Sequence, residues 1–209
     1  MDEKGTTALL LAGVLGVVFS LPIILVLCGL AFGQAAVFYR RKQLSEMGRY
    51  LLVGGLWMVI FTLLWWNYYS FNYLRPDVLA YQKPYYLSLP LTFSEWGSFL
   101  KKLFAVFRSP LDLSWPGLAA LIVTTGCWSL WSRDRGRLLP LLLPVLFTVG
   151  LSMAERYPFH GRFLAFLLPV FFILVAQGIG QVMEGPPWRL LTGILILAVL
   201  MSQPLGRSL

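Results

Sequence analysis

Long apolar runs, each near the ~20 residues that a bilayer core requires of a helix, recur along this chain between short polar segments. The runs cover residues 8–38, 50–74, 114–132, 138–153, 163–183 and 190–203. They are unbroken, whereas strands of a membrane barrel would alternate over ~10 residues. The pattern predicts an all-α fold: a polytopic transmembrane helical bundle of about 5–6 spans with one external interfacial amphipathic helix. Residues 1–209 then form a single membrane domain.

Residues 8–38 exceed one upright crossing, and Pro22 lies near their middle. One tilted, Pro-kinked crossing is expected there, because 8–20 alone would cover only ~20 Å. The second run ends in an aromatic belt, Trp65-Trp66-Asn67-Tyr68-Tyr69-Ser70-Phe71-Asn72-Tyr73, whose rings suit the headgroup level. The same aromatic and Asn groups are the kind that line a sugar or headgroup site. Residues 75–113 form the longest polar connection. Within it Thr92-Phe93-Ser94-Glu95 reads as a capping box. Trp96, Phe99, Leu100, Leu103 and Phe107 then repeat on one helical face, with Ser98, Lys101, Lys102 and Arg108 near the other. Ser114-Trp115-Pro116 reads as an N-cap followed by Pro in the first turn. The last run, 190–203, is ~21 Å long as a helix and reads as an incomplete final span.

Composition agrees with this picture. The 209 residues are 58% hydrophobic and 12% charged, about half the charged share of a soluble domain. Mean hydropathy is +0.73. The net charge of +8 comes from basic residues in loops beside the apolar runs, where they set topology and meet anionic lipid. No nucleic-acid partner is expected. The dense basic segment from Tyr39-Arg40-Arg41-Lys42 to Arg49, the loop Arg133–Arg137 and the Glu184–Pro187 turn fall on the cytoplasmic side, and 75–113 and 154–162 outside. Cys28 and Cys127 both lie in apolar runs and read as small buried side chains.

The segment with most chemistry is Ala154-Glu155-Arg156-Tyr157-Pro158-Phe159-His160-Gly161-Arg162. Arg156 and Arg162 flank a turn at the outer surface and suit a phosphate or pyrophosphate, since each guanidinium donates in pairs and stays charged. In the plainer alternative Glu155 pairs with Arg156 and Arg162 snorkels. His160 is the only histidine, so no metal site is expected, and it reads as a turn or headgroup residue. No cofactor is assigned. Lys101, Lys102 and Arg108 are candidate interfacial cations for a lipid phosphate. Membrane lipid is the general partner.

Tyr157-Pro158-Phe159-His160-Gly161-Arg162-Phe163-Leu164-Ala165-Phe166-Leu167-Leu168-Pro169, followed by Ala176-Gln177-Gly178, resembles a segment in the C-terminal half of bacterial multispanning glycosyltransferases of the GT-C fold, related to protein O-mannosyltransferases and aminoarabinose transferases. Phe19-Ser20-Leu21-Pro22 is similar to their Ser-x-Pro segment. The resemblance implies sugar transfer from a polyprenyl-phosphate-linked donor on the non-cytoplasmic face of a bacterial inner (plasma) membrane. It implies that Arg156, Tyr157, His160 and Arg162 lie near the lipid phosphate. The family's catalytic carboxylate belongs to a first external loop that has no counterpart here, so the catalytic residue is unknown. The chain therefore reads as the C-terminal half of such an enzyme. The alternatives are a non-catalytic membrane subunit or scaffold working with a partner subunit, and a small transporter, which the near absence of ionisable residues in the spans disfavours.

Overall fold

The computed structural model describes residues 3–20, 22–70 and 75–208, and among them there are helices and turns but no strand. Four segments are long and apolar enough to cross a membrane: Ile23–Arg40, Leu44–Asn67, Arg135–Met153 and Gly161–Met183. The chain is thus an all-helical protein compatible with integration into a bilayer. It divides into two compact units, 1–85 with 139–151, and 86–138 with 152–209.

The first unit opens with α1 (Glu3–Phe19) and α2 (Ile23–Arg40), where a single kinked crossing was expected over 8–38. A continuous helix would hold Leu10 and Cys28 roughly 27 Å apart. Yet Trp57 Nε1 donates to Leu10 O at 3.2 Å, and the neighbouring Met58 Sδ lies 3.4 Å from Cys28 Sγ. The chain therefore reverses between α1 and α2, which flank the same level of α3 (Leu44–Leu64). Leu21 and 71–74 lie outside the described residues, as do the side chains of Phe19, Tyr68 and Tyr69. Much of the aromatic belt and of the Ser-x-Pro segment is therefore undescribed. The α-helical ladder of α3 gives way to a π-turn at Trp65–Tyr69.

A small-residue face on α2 seats the two prolines of α7 (Arg135–Met153). A Cβ on Gly29 would lie 2.4 Å from the Pro144 ring, and one on Gly33 would lie 2.7 Å from the Pro140 Cα. Both pairs are four residues apart, which is one helical turn, so the glycines admit the rings in register. Each proline removes a ladder donor. Thr148, fully buried, donates to Pro144 O at 2.7 Å.

The second unit contains α5 (Phe93–Arg108), α6 (Pro116–Arg133), α8 (Leu168–Met183) and α9 (Pro187–Ser208). The shorter α4 (Pro76–Gln82), which precedes it, belongs to the first unit and was not anticipated in the polar connection. The capping box of α5 forms: Glu95 Oε2 accepts from the backbone N–H of Thr92 at 3.2 Å and of Leu91 at 2.8 Å. The expected single apolar face divides. Val106 and Phe107 are buried and Phe99 and Leu103 half-buried, whereas Phe93, Trp96 and Leu100 stay exposed.

Backbone meets backbone where α6 crosses α8. A Cβ on Gly126 would sit 2.1 Å from Leu174 O, and one on Gly178 would sit 2.0 Å from Ile122 O. Glycine is required at both positions for this approach. Further along, Ser129 Oγ donates to Gln181 Oε1 at 2.8 Å, and Arg133 pairs with Glu184. The two helices thus run parallel, and their C-terminal turns share one end of the unit.

Several boundaries differ from the sequence reading. Trp115, not Ser114, caps α6, and Ser114 Oγ instead donates to Leu200 O at 3.2 Å, as does the Ser114 N–H. The reason is chemical: Pro204 has no N–H for the carbonyl one turn earlier, so Leu200 O needs another donor. The loop expected over Arg133–Arg137 shrinks to Asp134, because Asp134 Oδ1 accepts the Gly136 N–H at 3.1 Å and so starts α7 at Arg135 rather than at 138. The final helix spans Pro187–Ser208 rather than 190–203, and its apolar part is Pro187–Ser202. The 18-residue α6, expected as a span over 114–132, is not among the four apolar segments.

Candidate functional site

The 154–162 segment leaves α7 through a turn in which Glu155 takes a left-handed conformation (φ 55°), and Gly161 takes a second (φ 45°). Between them the chain turns its apolar residues inward. Tyr157, Pro158 and Phe159 are buried, while Arg156, His160 and Arg162 are exposed. Tyr157 closes the turn: its hydroxyl donates to Phe163 O at 2.6 Å, and its ring meets Phe163 and Phe166 edge-on.

After the turn the chain is a 3-10 helix over Gly161–Leu167 before α8 begins. Gly161, Leu164 and Leu167 are buried at a spacing of three, the 3-10 period, and Pro169 removes the donor that an α-helical turn would need there. Pro169 therefore opens α8, and the expected span over 163–183 lies within the apolar segment Gly161–Met183, whose first two turns are 3-10 rather than α-helical.

Two of the expected interfacial cations join this segment. Lys102 Nζ donates to Tyr86 O at 2.5 Å. The buried Tyr86 phenol is pushed up by burial and further by the Glu155 carboxylate, while Arg156 opposes the rise. Lys102, Tyr86, Glu155 and Arg156 thus share one neighbourhood. A Cβ on Gly161 would lie 3.5 Å from Ser109 Oγ, so the segments that carry Arg108 and Arg162 touch. Leu87 N–H donates to Ser152 Oγ at 3.0 Å and ties the 86–87 strand of loop to the end of α7.

Glu155 and Arg156 form no ion pair among the described residues, so the plainer pairing is not observed. The Arg162 guanidinium lies 5.5 Å from the centre of the Phe163 ring. Stacked in this way it keeps its N–H edges for an acceptor. Lys101 and Arg108 are exposed, and His160 starts the 3-10 turn by accepting the Phe163 N–H at 3.1 Å. No cluster of His, Cys, Asp or Glu fit for a metal occurs among the described residues. Cys28 and Cys127 are free and half-buried. Tyr86 escaped the sequence reading. Its only signal was an aromatic pair, Tyr85-Tyr86, after Pro84 in a polar connection.

At the other end of α6 and α8, the Arg133 guanidinium donates to both oxygens of Glu184 and holds that carboxyl below its ordinary value. A carboxylate with a lowered folded pKa contributes stability that is complete above about 4.3 and is lost as pH falls through the folded value. Glu184→Gln is therefore expected to lower the unfolding midpoint at pH 7. The gap from the native protein should close only below about pH 4.3, as thermal unfolding across pH 7 to 3 would reveal.

No family model, no curated protein and no solved structure matches this chain.

Proposed function

We propose that this chain is the lipid-binding C-terminal part of a membrane glycosyltransferase of the GT-C type, using a polyprenyl-phosphate-linked sugar on the non-cytoplasmic face. The supporting observation is the gathering of Lys102 and Arg156 around Tyr86, with Arg108 and Arg162 on touching segments beside them. Such cations attract the donor phosphate. Charge grows on that phosphate as the sugar departs, and guanidinium groups stabilise it by paired donation. Tyr157 positions the turn rather than meeting the substrate, because its hydroxyl is engaged by Phe163 O. The residue that activates the acceptor is unassigned.

The test is binding of a polyprenyl phosphate to the purified protein in lipid nanodiscs. Replacing Arg156 and Arg162 together by Gln is expected to weaken binding by about tenfold or more, the loss typical of removing charge-assisted hydrogen bonds. Unchanged affinity removes the assignment. The second reading, a non-catalytic membrane subunit, is favoured by α3. Leu52, Leu56, Val59 and Leu63 are exposed on it, and Gly48 and Gly55 face open space. That reading predicts both arginines to be dispensable and a partner to co-purify.

A further inference from the structure

The end of the second unit where α6 and α8 terminate carries a different cluster. Arg133 takes both oxygens of Glu184, and Arg137 Nε donates to Asp134 Oδ2 at 2.9 Å. These two pairs engage both carboxylates of the segments 133–137 and 184–189. Arg135 and Arg189 remain without a carboxylate among the described residues.

Both are held by a neighbouring tryptophan. The Arg135 guanidinium carbon lies 4.7 Å from the Trp131 ring centre, and its Nε donates to Trp131 O at 3.2 Å. The Arg189 guanidinium carbon lies 5.4 Å from the Trp188 ring centre, and its Nη1 donates to Glu184 O at 3.0 Å. The turn below is shaped to the Arg189 side chain: Gly185 has φ 125°, and a Cβ there would lie 3.1 Å from Arg189 Cδ. A guanidinium fixed by its face and one N–H still has donors along its remaining edge. Trp131 and Trp188 are exposed, and Trp is the side chain that settles at headgroup depth. Leading away from Arg189, α9 exposes Leu190, Leu191, Ile194 and Leu195, an apolar track for acyl chains.

We propose that this cluster binds the headgroup phosphodiester of an anionic phospholipid, with Arg135 and Arg189 as donors and the exposed face of α9 against its chains. The apolar track selects a lipid over free phosphate, and the excess of arginine over carboxylate selects an anionic lipid over a zwitterionic one. The site is separate from the one around Tyr86 and does not depend on its function.

Native mass spectrometry of the delipidated full chain, titrated with phosphatidylglycerol or phosphatidylcholine, tests this. Phosphatidylglycerol is expected to bind with an about tenfold lower Kd, and Arg135→Gln with Arg189→Gln to erase that preference while phosphatidylcholine binding stays unchanged. Equal Kd values for the two lipids, or an intact preference in the variant, overturn the proposal. So does loss of the preference in Lys101→Gln with Arg108→Gln, which lie on α5. Displacement of the lipid by millimolar inorganic phosphate overturns the lipid assignment. If the glutamine pair does not fold, Arg135→Lys with Arg189→Lys decides. It keeps both charges but loses the fork, so about threefold weaker phosphatidylglycerol binding is expected, and no change overturns the proposal.

Discussion

Gly178→Ala is expected to destabilise the second unit by about 3 kcal/mol, at the upper end of what overpacking usually costs. The added Cβ would lie 2.0 Å from Ile122 O, a backbone atom that no rotamer change can move aside. The helices must separate along the whole crossing, and Gly126 on the opposite helix makes the reciprocal approach to Leu174 O. Separation also strains the Ser129–Gln181 hydrogen bond and the Arg133–Glu184 pair further along. In lipid this loss is not offset by a hydrophobic gain elsewhere, because helices associate there through packing and hydrogen bonds. Gly180 is the matched control. It lies two residues away on α8, and a Cβ there meets nothing. Alanine at 180 should be neutral or raise stability by up to about 1 kcal/mol, through helix propensity. Reversible unfolding in bicelles separates the two. Equal stability of the two variants would mean that the crossing at Gly126 and Gly178 is not as described.

The positions of most helices were legible in the sequence because apolar length and capping chemistry act locally. The capping box at Thr92 and Glu95 is an example, since a box needs only residues three apart. What stayed hidden depends on distant partners. Ser114 has the chemistry of an N-cap, yet a carbonyl stripped of its donor by Pro204 claims it. Arg135 and Arg137 look like loop by charge, and Asp134 draws them into the first turn of α7. The Gly29–Gly33 spacing matches that of Pro140–Pro144, but either pair alone reads as ordinary membrane-helix composition. The candidate site divides in the same way. Its arginines were visible as charge beside apolar runs, whereas the 3-10 turn at Gly161–Leu167 was not, because apolar length alone does not separate 3-10 from α-helical winding. Tyr86 and its tie to Lys102, 16 positions further on, depend on the chain between them folding back, which no local pattern encodes.

Trp57→Ala should release α1 from α3 and lower the stability of the first unit by about 3 kcal/mol, the low end for removing a buried tryptophan. The low end applies because lipid can solvate the exposed apolar surface. Trp57 is 2% exposed, and its indole fills the space that Gly13 leaves: a Cβ on Gly13 would lie 2.2 Å from it. The indole N–H also donates to Leu10 O, so one side chain supplies both the packing and a polar tie between the helices. Trp57→Phe separates the two contributions. It retains most of the ring and should cost about 1 kcal/mol for the lost hydrogen bond, plus a smaller packing term. Hydrogen exchange gives the local readout. Amides of 7–18 should exchange faster in Trp57→Ala, while those of α2 stay protected by the seating of Pro140 and Pro144 on Gly33 and Gly29. If 7–18 and α2 instead lose protection together, the two helices move as one body. The reversal between α1 and α2 would then give way to the single kinked crossing that the apolar run suggested.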